Sequence, residues 1–483
     1  LYLSILACCS TSLAGAAIVS NTNDSGPGSL REAINTATSQ ELIEFSPALD
    51  RATILLTGGS IDIISAELTI DATSLSGGIT ISGGGNSQIF HISGGANVTL
   101  RNLHLKDGRA HLDGRDKGGG IYALGSTITV ERCTISGCSS TLDGGGFYGD
   151  SLTGGAIRLS RITGNQSSLF GGGLALNGTA AFPISNTQVS GNKAVGGGGG
   201  IYNFVSSPAI TNCTIQGNSG GGVANQFPCN PVFRNCIVWG NTDTSGTVAT
   251  QQIRTASPAT TNVNHSLVQG ASSASSFTNP AQVTWGSQNL NGTTANPQFA
   301  SPATAASAPT SGADLRLLQG SSAINTGDNS SSVGSLDLAF RDRLQGAAVD
   351  LGAFEGPYVT FGLLYPSLTP GGDANGNGLS NFFEYSLGKD PLAPGSTIPQ
   401  PLITSSNGSK SLSSVVRTNG VDIKSSWQTS TLLTPLSWST MIENVDYVTS
   451  SRTSVAEGVQ QITLQLQSTD PARFYRQGFS QAN

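Results

Sequence analysis

The sequence predicts an all-β parallel solenoid, in which short strands stack coil upon coil, and three observations predict it. The first is a repeated phrase between Gly118 and Asn241: a glycine run and an apolar residue, an alternating stretch, then a closing glycine. The runs open at Gly118, Gly144, Gly171, Gly198 and Gly220, and the closing glycines are Gly137, Gly164, Gly191, Gly217 and Gly240. Their spacings of 27, 27, 26 and 23 residues mark stacked supersecondary units rather than one compact core. Propeller blades need about 40 residues or more, which excludes that alternative. The second observation is a pair of columns. Two residues before each closing glycine stand Ile135, Ile162, Val189, Ile215 and Val238, and four before it Cys133, Ser160, Thr187, Cys213 and Cys236. Alternation puts both columns on one strand face, so a bulky ladder and a compact ladder are expected inside. Thr134, Arg161, Gln188 and Thr214, between them, are expected to face outward. The third observation is the residue after the closing glycine: Cys138 in the first repeat, then Asn165, Asn192, Asn218 and Asn241. Asparagine tolerates left-handed turns, and stacked amides can bond one another at a buried corner.

The elements follow in order. Leu1 to Ala17 is an apolar run closing on Ala14-Gly15-Ala16, read as a signal peptide over 1–16. A lipoprotein signal at Cys8 is the alternative. Ser29-Leu30-Arg31-Glu32 is a capping box, and Leu30, Ala33, Ile34 and Ala37 recur at helical spacing. A short helix there would cover the open end of the stack, where a terminal coil has unpaired backbone edges. Residues 79–82, 89–92 and 98–105 read as earlier rungs and 264–270 as a later one, so cap and solenoid together are assigned to 17–356. A linker follows over 357–400. Alternation returns at 423–428 and 461–467, predicting a small C-terminal β-sandwich over 401–483. Five cysteines lie outside the leader, an odd number, so at least one thiol is unpaired within the chain. Cys213 and Cys236 fall on neighbouring rungs, within reach of a disulfide or of packing as two free thiols.

Composition bounds the function. The chain has 63 glycines and only 11% charged residues, against about 25% in ordinary domains, and its net charge is −6. Nucleic-acid binders need clustered Lys and Arg, so that class is excluded. After the leader no run of roughly eighteen apolar residues predicts a transmembrane span. A secreted or surface-attached protein is expected.

Asn23-Asp24-Ser25-Gly26-Pro27-Gly28-Ser29-Leu30-Arg31-Glu32-Ala33-Ile34 resembles the start of large bacterial surface proteins of the CSLREA type. The Gly-Gly-Gly-Ile and Ser-Gly-Asn phrases resemble the repeats of polymorphic outer membrane proteins. Residues 317–328 and 349–355 resemble the close of a choice-of-anchor module. The resemblance covers roughly 17–355. It implies a right-handed, single-stranded parallel β-helix, exported from a bacterium, with an adhesin-like or display role toward a cell-surface or extracellular polysaccharide or protein. Polymorphic outer membrane proteins end in a membrane barrel, and the C-terminal part of this chain is too short and too polar for one.

Two stretches could carry chemistry. Asp373-Ala374-Asn375-Gly376-Asn377-Gly378-Leu379-Ser380-Asn381-Phe382-Phe383-Glu384 has the pattern of an EF-hand calcium loop. Asp373, Asn375 and Asn377 would give side-chain oxygens, Leu379 its carbonyl, Asn381 a water-mediated contact and Glu384 both carboxylate oxygens. The loop resembles single dockerin or thrombospondin-type repeats. The charged stretch 106–117 supplies Asp113, Arg115, Asp116 and Lys117 as candidates for an alternative function, a β-helix polysaccharide lyase or glycoside hydrolase. A solvated loop between rungs is the competing reading. Asp337, Arg341, Asp342, Arg343 and Asp350 are expected to form ion pairs or a calcium-bound cap near the end of the helix.

Overall fold

The computed structural model describes residues 16–111, 115–244, 246–377 and 379–393, and the strand segments 402–406, 409–417, 423–430, 439–440, 447–456, 459–466 and 474–481. Residues 1–15, within the expected signal peptide, Asp113 and Gly378 lie outside them. The fold is a parallel β-solenoid with three long walls. The first wall has eleven strands, from Ala17–Val19 to Val283–Trp285. The second has nine, from Thr53–Leu55 to Leu267–Val268, and the third eight, from Ile61–Ile64 to Ile253–Thr255. A short four-stranded sheet, Arg109–Ala110 to Lys193–Ala194, lies between the second and third walls.

The interior column is as the spacing predicts. On the second wall Ile135 pairs with Ile162, Ile162 with Val189, Val189 with Ile215 and Ile215 with Val238. All five are fully buried. Each such side chain stabilises the stack by about 1.5–3 kcal/mol through removal of apolar surface from water. Cys133, Cys138, Cys213, Cys229 and Cys236 are all free and buried. Burial pushes the Cys133 and Cys138 thiols up to about 12, so they pack as small inert hydrophobes.

The asparagines form one continuous ladder. Asn165 donates from its backbone N and its Nδ2 to Asn192 Oδ1, at 2.9 and 3.0 Å. Asn192 does the same to Asn218, and Asn218 to Asn241. Gln252, on the short helix Val248–Gln252, ends the series by accepting from Asn241 N and Nδ2. Just before each Asn the chain turns through a left-handed glycine, with φ of +66° at Gly164 and +61° at Gly191.

The N-terminal cap is the helix Leu30–Thr36. Ser29 Oγ accepts from Glu32 N, and Glu32 Oε2 accepts from Gly28 N, one residue before the expected partner. Leu30 and Ile34 are buried against the first coils. Arg31 binds Asp24 and the Ser60 carbonyl, tying the cap to the stack.

Stacking runs on to Trp285 on the first wall and to a parallel bridge between Leu267 and Leu290 on the second, and the chain then folds back along the outside of the second wall as a strap. Gln216 exchanges two hydrogen bonds with Ala303, and Thr310 N donates to Gly191 O. Asn186 Nδ2 donates to Val333 O, and Ala353 N to Thr214 Oγ1. Gln188, Thr214 and Gln216 do face outward, but the strap buries them.

A charged cluster fastens the strap. Asp337 accepts from the backbone N of Ala339, Arg341 and Glu355, and Asp350 from that of Asn325 and Gly356. Arg343 pairs with Glu355 at 3.2 Å. Burial raises the carboxyl of Asp350 to about 6 and that of Glu355 to about 8. The native strap therefore holds protons that the unfolded chain releases, and stability falls as pH rises from the ordinary carboxylate range toward about 8. Asp62 and Glu131 lie the other way: burial opposes their charge, but bonds from Arg115 and from Arg158 and Arg101 outweigh it, so they matter only in acid. Thermal melts are expected to show a midpoint several degrees higher near about pH 5 than near about pH 8.5, and Asp350→Asn should flatten the difference. Equal midpoints for the wild type would refute this.

Beyond residue 400, strands 402–406, 409–417, 459–466 and 447–456 form one antiparallel sheet, and 439–440, 423–430 and 474–481 another.

Candidate functional site

The third wall carries a column of aromatic side chains. Its strands follow the glycine runs, so alternation sends Ile121, Phe147, Leu174, Ile201 and Val223 inward. Their neighbours Tyr122, Tyr148, Ala175, Tyr202 and Ala224 form one outward column in parallel register, with His91 and Asp62 continuing it toward the N-terminal end. Successive members are about 4.8 Å apart along the wall. His91 lies 5.1 Å from Tyr122, and Tyr122 stacks on Tyr148 at 5.5 Å, centroid to centroid. Phe170, from the loop before the next strand, stacks nearly parallel on Tyr202 at 4.5 Å. Phe204 and Phe227 extend the file at 4.5 Å from each other. Tyr148 and Tyr202 are largely covered, whereas Tyr122, Phe170 and Phe204 are half-buried and Phe227 is 52% exposed. Small Ala175 interrupts the file and leaves a notch of about 250 Å³ between Tyr148, Phe170 and Tyr202.

Charge is sparse but placed along this file. Lys117 Nζ donates to Tyr148 Oη at 2.9 Å, stands 4.6 Å from the ring centroid and lies 3.8 Å from Asp143. Burial raises the Asp143 carboxyl above its usual range, while a bond from Phe170 N and the Lys117 ammonium pull it back. Arg115 binds Asp62 through both guanidinium nitrogens, at 2.7 and 2.8 Å, and also meets Ser60 Oγ. Burial and then Arg115 hold His91 below the usual imidazole value, so it is neutral at pH 7.

The candidates from the charged stretch separate here. Arg115 and Lys117 reach the third wall. Asp116 instead accepts from Thr141 Oγ1, and Asp113 lies outside the described residues. The aromatic column itself has a sequence signal: in three repeats a tyrosine stands second after the glycine run, on the strand face opposite the buried aliphatic residue.

The 373–384 loop closes on itself ahead of the helix Asn381–Ser386. Asn375 Nδ2 and Asn377 Nδ2 donate to Glu384 Oε1 at 3.0 and 2.8 Å, and Asn377 N donates to Asp373 Oδ1. Glu384 is fully buried. Turning either amide over puts an oxygen beside the carboxylate, so this donor set fits a hard cation such as calcium. Leu379 N bonds Asn377 Oδ1. Asn381 spends its amide on Ala374 N and the Thr369 carbonyl. Gly378 lies outside the described residues.

A family model described as a right handed beta helix region matches residues 51–208. A comparison with curated proteins finds no match. Among solved structures, the chain is similar to pectate lyase Pel9A, with 15% sequence identity and a TM-score of 0.40, over 70% of this chain and 96% of that one. The matched residues lie within the parallel β-solenoid that the coil stacking forms.

Proposed function

We propose that this is a secreted or cell-surface β-helix protein, of bacterial type, that binds extended polysaccharide along its third wall in an adhesin-like or display role. The observation that carries the reading is the outward aromatic file from Tyr122 to Phe227, in parallel register along one wall. Flat rings with interspersed polar groups suit sugar faces and hydroxyls, and an extended chain can meet several rings at once. Phe170→Ala and Phe227→Ala are each expected to weaken retention in gels containing the bound polysaccharide by about five- to thirtyfold, without loss of the folded circular-dichroism signal. Unchanged mobility of both variants, or no retention of the wild type by any acidic or neutral polysaccharide, would sink the proposal. Chain cleavage is the second reading, favoured by Lys117 and Arg115 on the same wall, and release of unsaturated product in these mixtures would establish it.

The 373–384 loop is proposed as a calcium site of low affinity, since only Asp373 and Glu384 bring negative charge. Calorimetry is expected to give a dissociation constant of about 10⁻⁴–10⁻³ M, weakened at least about tenfold by Glu384→Gln. No heat of calcium binding would remove the site.

A further inference from the structure

The strap leaves a gap against the second wall. A cavity of about 280 Å³ lies between them, lined by Arg161 and Gln188 from the wall and by Asp314, Arg316, Ala339 and Phe354 from the strap. Arg161 comes from the wall strand Arg161–Thr163 and Arg316 from the strap strand Asp314–Leu317, so two guanidinium groups reach one space from its two sides. They are differently placed. Arg316 pairs with Asp314 through Nε and Nη2, at 2.9 and 2.6 Å, and stands over the Tyr358 ring. Among the described residues, Arg161 donates only to the Leu338 carbonyl, at 3.4 Å, and lies 5.9 Å from the centroid of Phe354, with no carboxylate at ion-pair distance. Burial disfavours its charge, the Arg316 guanidinium adds to that, and Asp314 and Asp337 offset them only in part. A cation drawn away from bulk water is costly unless a counter-charge meets it. Solution can supply that charge, because Arg161 keeps part of its surface and borders the cavity.

We propose that this cavity binds a tetrahedral inorganic oxyanion, of the phosphate or sulfate class, held by Arg161 with Arg316 across from it. A planar guanidinium takes oxygens in pairs. A carboxylate offers its pair in one direction only, whereas a tetrahedral ion presents one edge to the wall and another to the strap. Asp314 stays on Arg316, so the two arginines and one carboxylate of the lining sum to a positive charge that such an ion offsets. The bound ion would pin the returning segment to the coils. The site is separate from the third wall and stands or falls without any glycan bound there.

The test follows the thermal midpoint of the full chain at constant pH and ionic strength while sodium sulfate or phosphate is added over about 1–30 mM, too dilute for general salting-out to contribute much. Chloride and acetate are run in parallel. Sulfate and phosphate are expected to raise the midpoint saturably by a few degrees, with half of the effect at about 1–10 mM, and chloride and acetate to leave it nearly unchanged. Arg161→Met, which fills the same space without charge, should erase the rise. Arg161→Lys, which keeps the charge but loses the fork, should bind sulfate about tenfold more weakly by calorimetry. Arg51→Gln, at an exposed arginine before the second wall, should keep the full rise. No saturable rise in the wild type, or a rise retained in Arg161→Met, overturns the proposal. An equal rise with chloride or acetate overturns the oxyanion assignment. If Arg161→Met does not fold, Arg161→Lys decides, and sulfate affinity equal to that of the wild type overturns the site.

Discussion

Asn192→Leu is expected to destabilise the solenoid by about 3 kcal/mol or more, although leucine matches asparagine in size. Asn192 Oδ1 accepts two bonds from Asn165, and its Nδ2 donates to Ile162 O at 2.9 Å and to Asn218 Oδ1 at 3.0 Å. All three amides are fully buried. Leucine would strand Asn165 N and part of Asn218 in a dry interior, leave Asn165 Nδ2 with Ile135 O alone and take a donor from the Ile162 carbonyl, and each orphan costs about 1–3 kcal/mol. Partial relaxation of the corner keeps the total nearer the lower end of that sum. Asn192→Asp keeps the acceptor but points a negative charge at two oxygens, so it should also be severely destabilised at neutral pH. Urea unfolding reads both, and an Asn192→Leu midpoint within error of the wild type would falsify the ladder as a stabilising element.

Gly172→Ala is expected to be comparably damaging for a different reason. A Cβ there would stand 2.3 Å from Lys193 O and 2.6 Å from Gly199 O, both main-chain atoms of the next coil. No rotamer change relieves a clash with backbone, so the spacing between coils must open locally, at a cost of about 3 kcal/mol. Gly312→Ala is the control: nothing lies within 4 Å of its added methyl, and the change should stay within about 0.5 kcal/mol. A Gly172→Ala protein that melts with the control would mean that the glycine runs are not packing contacts.

What the sequence revealed follows from what repeats. Ile135 to Val238 and the Asn165–Asn241 ladder are legible because alternation and turn geometry are copied at a fixed interval, and the Ser29 cap because capping is a local rule that one short stretch satisfies by itself. The strap is not legible, because its contacts are one of a kind. Arg161 has the polar, outward signature of a solvent-facing residue, yet it lies beneath Leu338 and Phe354. Nothing near Arg161 in the chain announces partners about 180 residues away. The third wall lies between these cases. Tyr122, Tyr148 and Tyr202 are visible in the repeat, but the stacking of Tyr202 with Phe170 depends on an inter-strand loop that follows no period.

The strap has a consequence for how such a molecule can change length. A ladder in which every rung bonds the next is indifferent to how many rungs there are, so a duplicated coil could slip into the row and be sealed by its neighbours. The returning segment is not indifferent: it grips Gly191, Thr214, Gln216 and Asn235 at set points along its own length. It works as a gauge, and an extra coil inserted beneath it would pull those grips out of step.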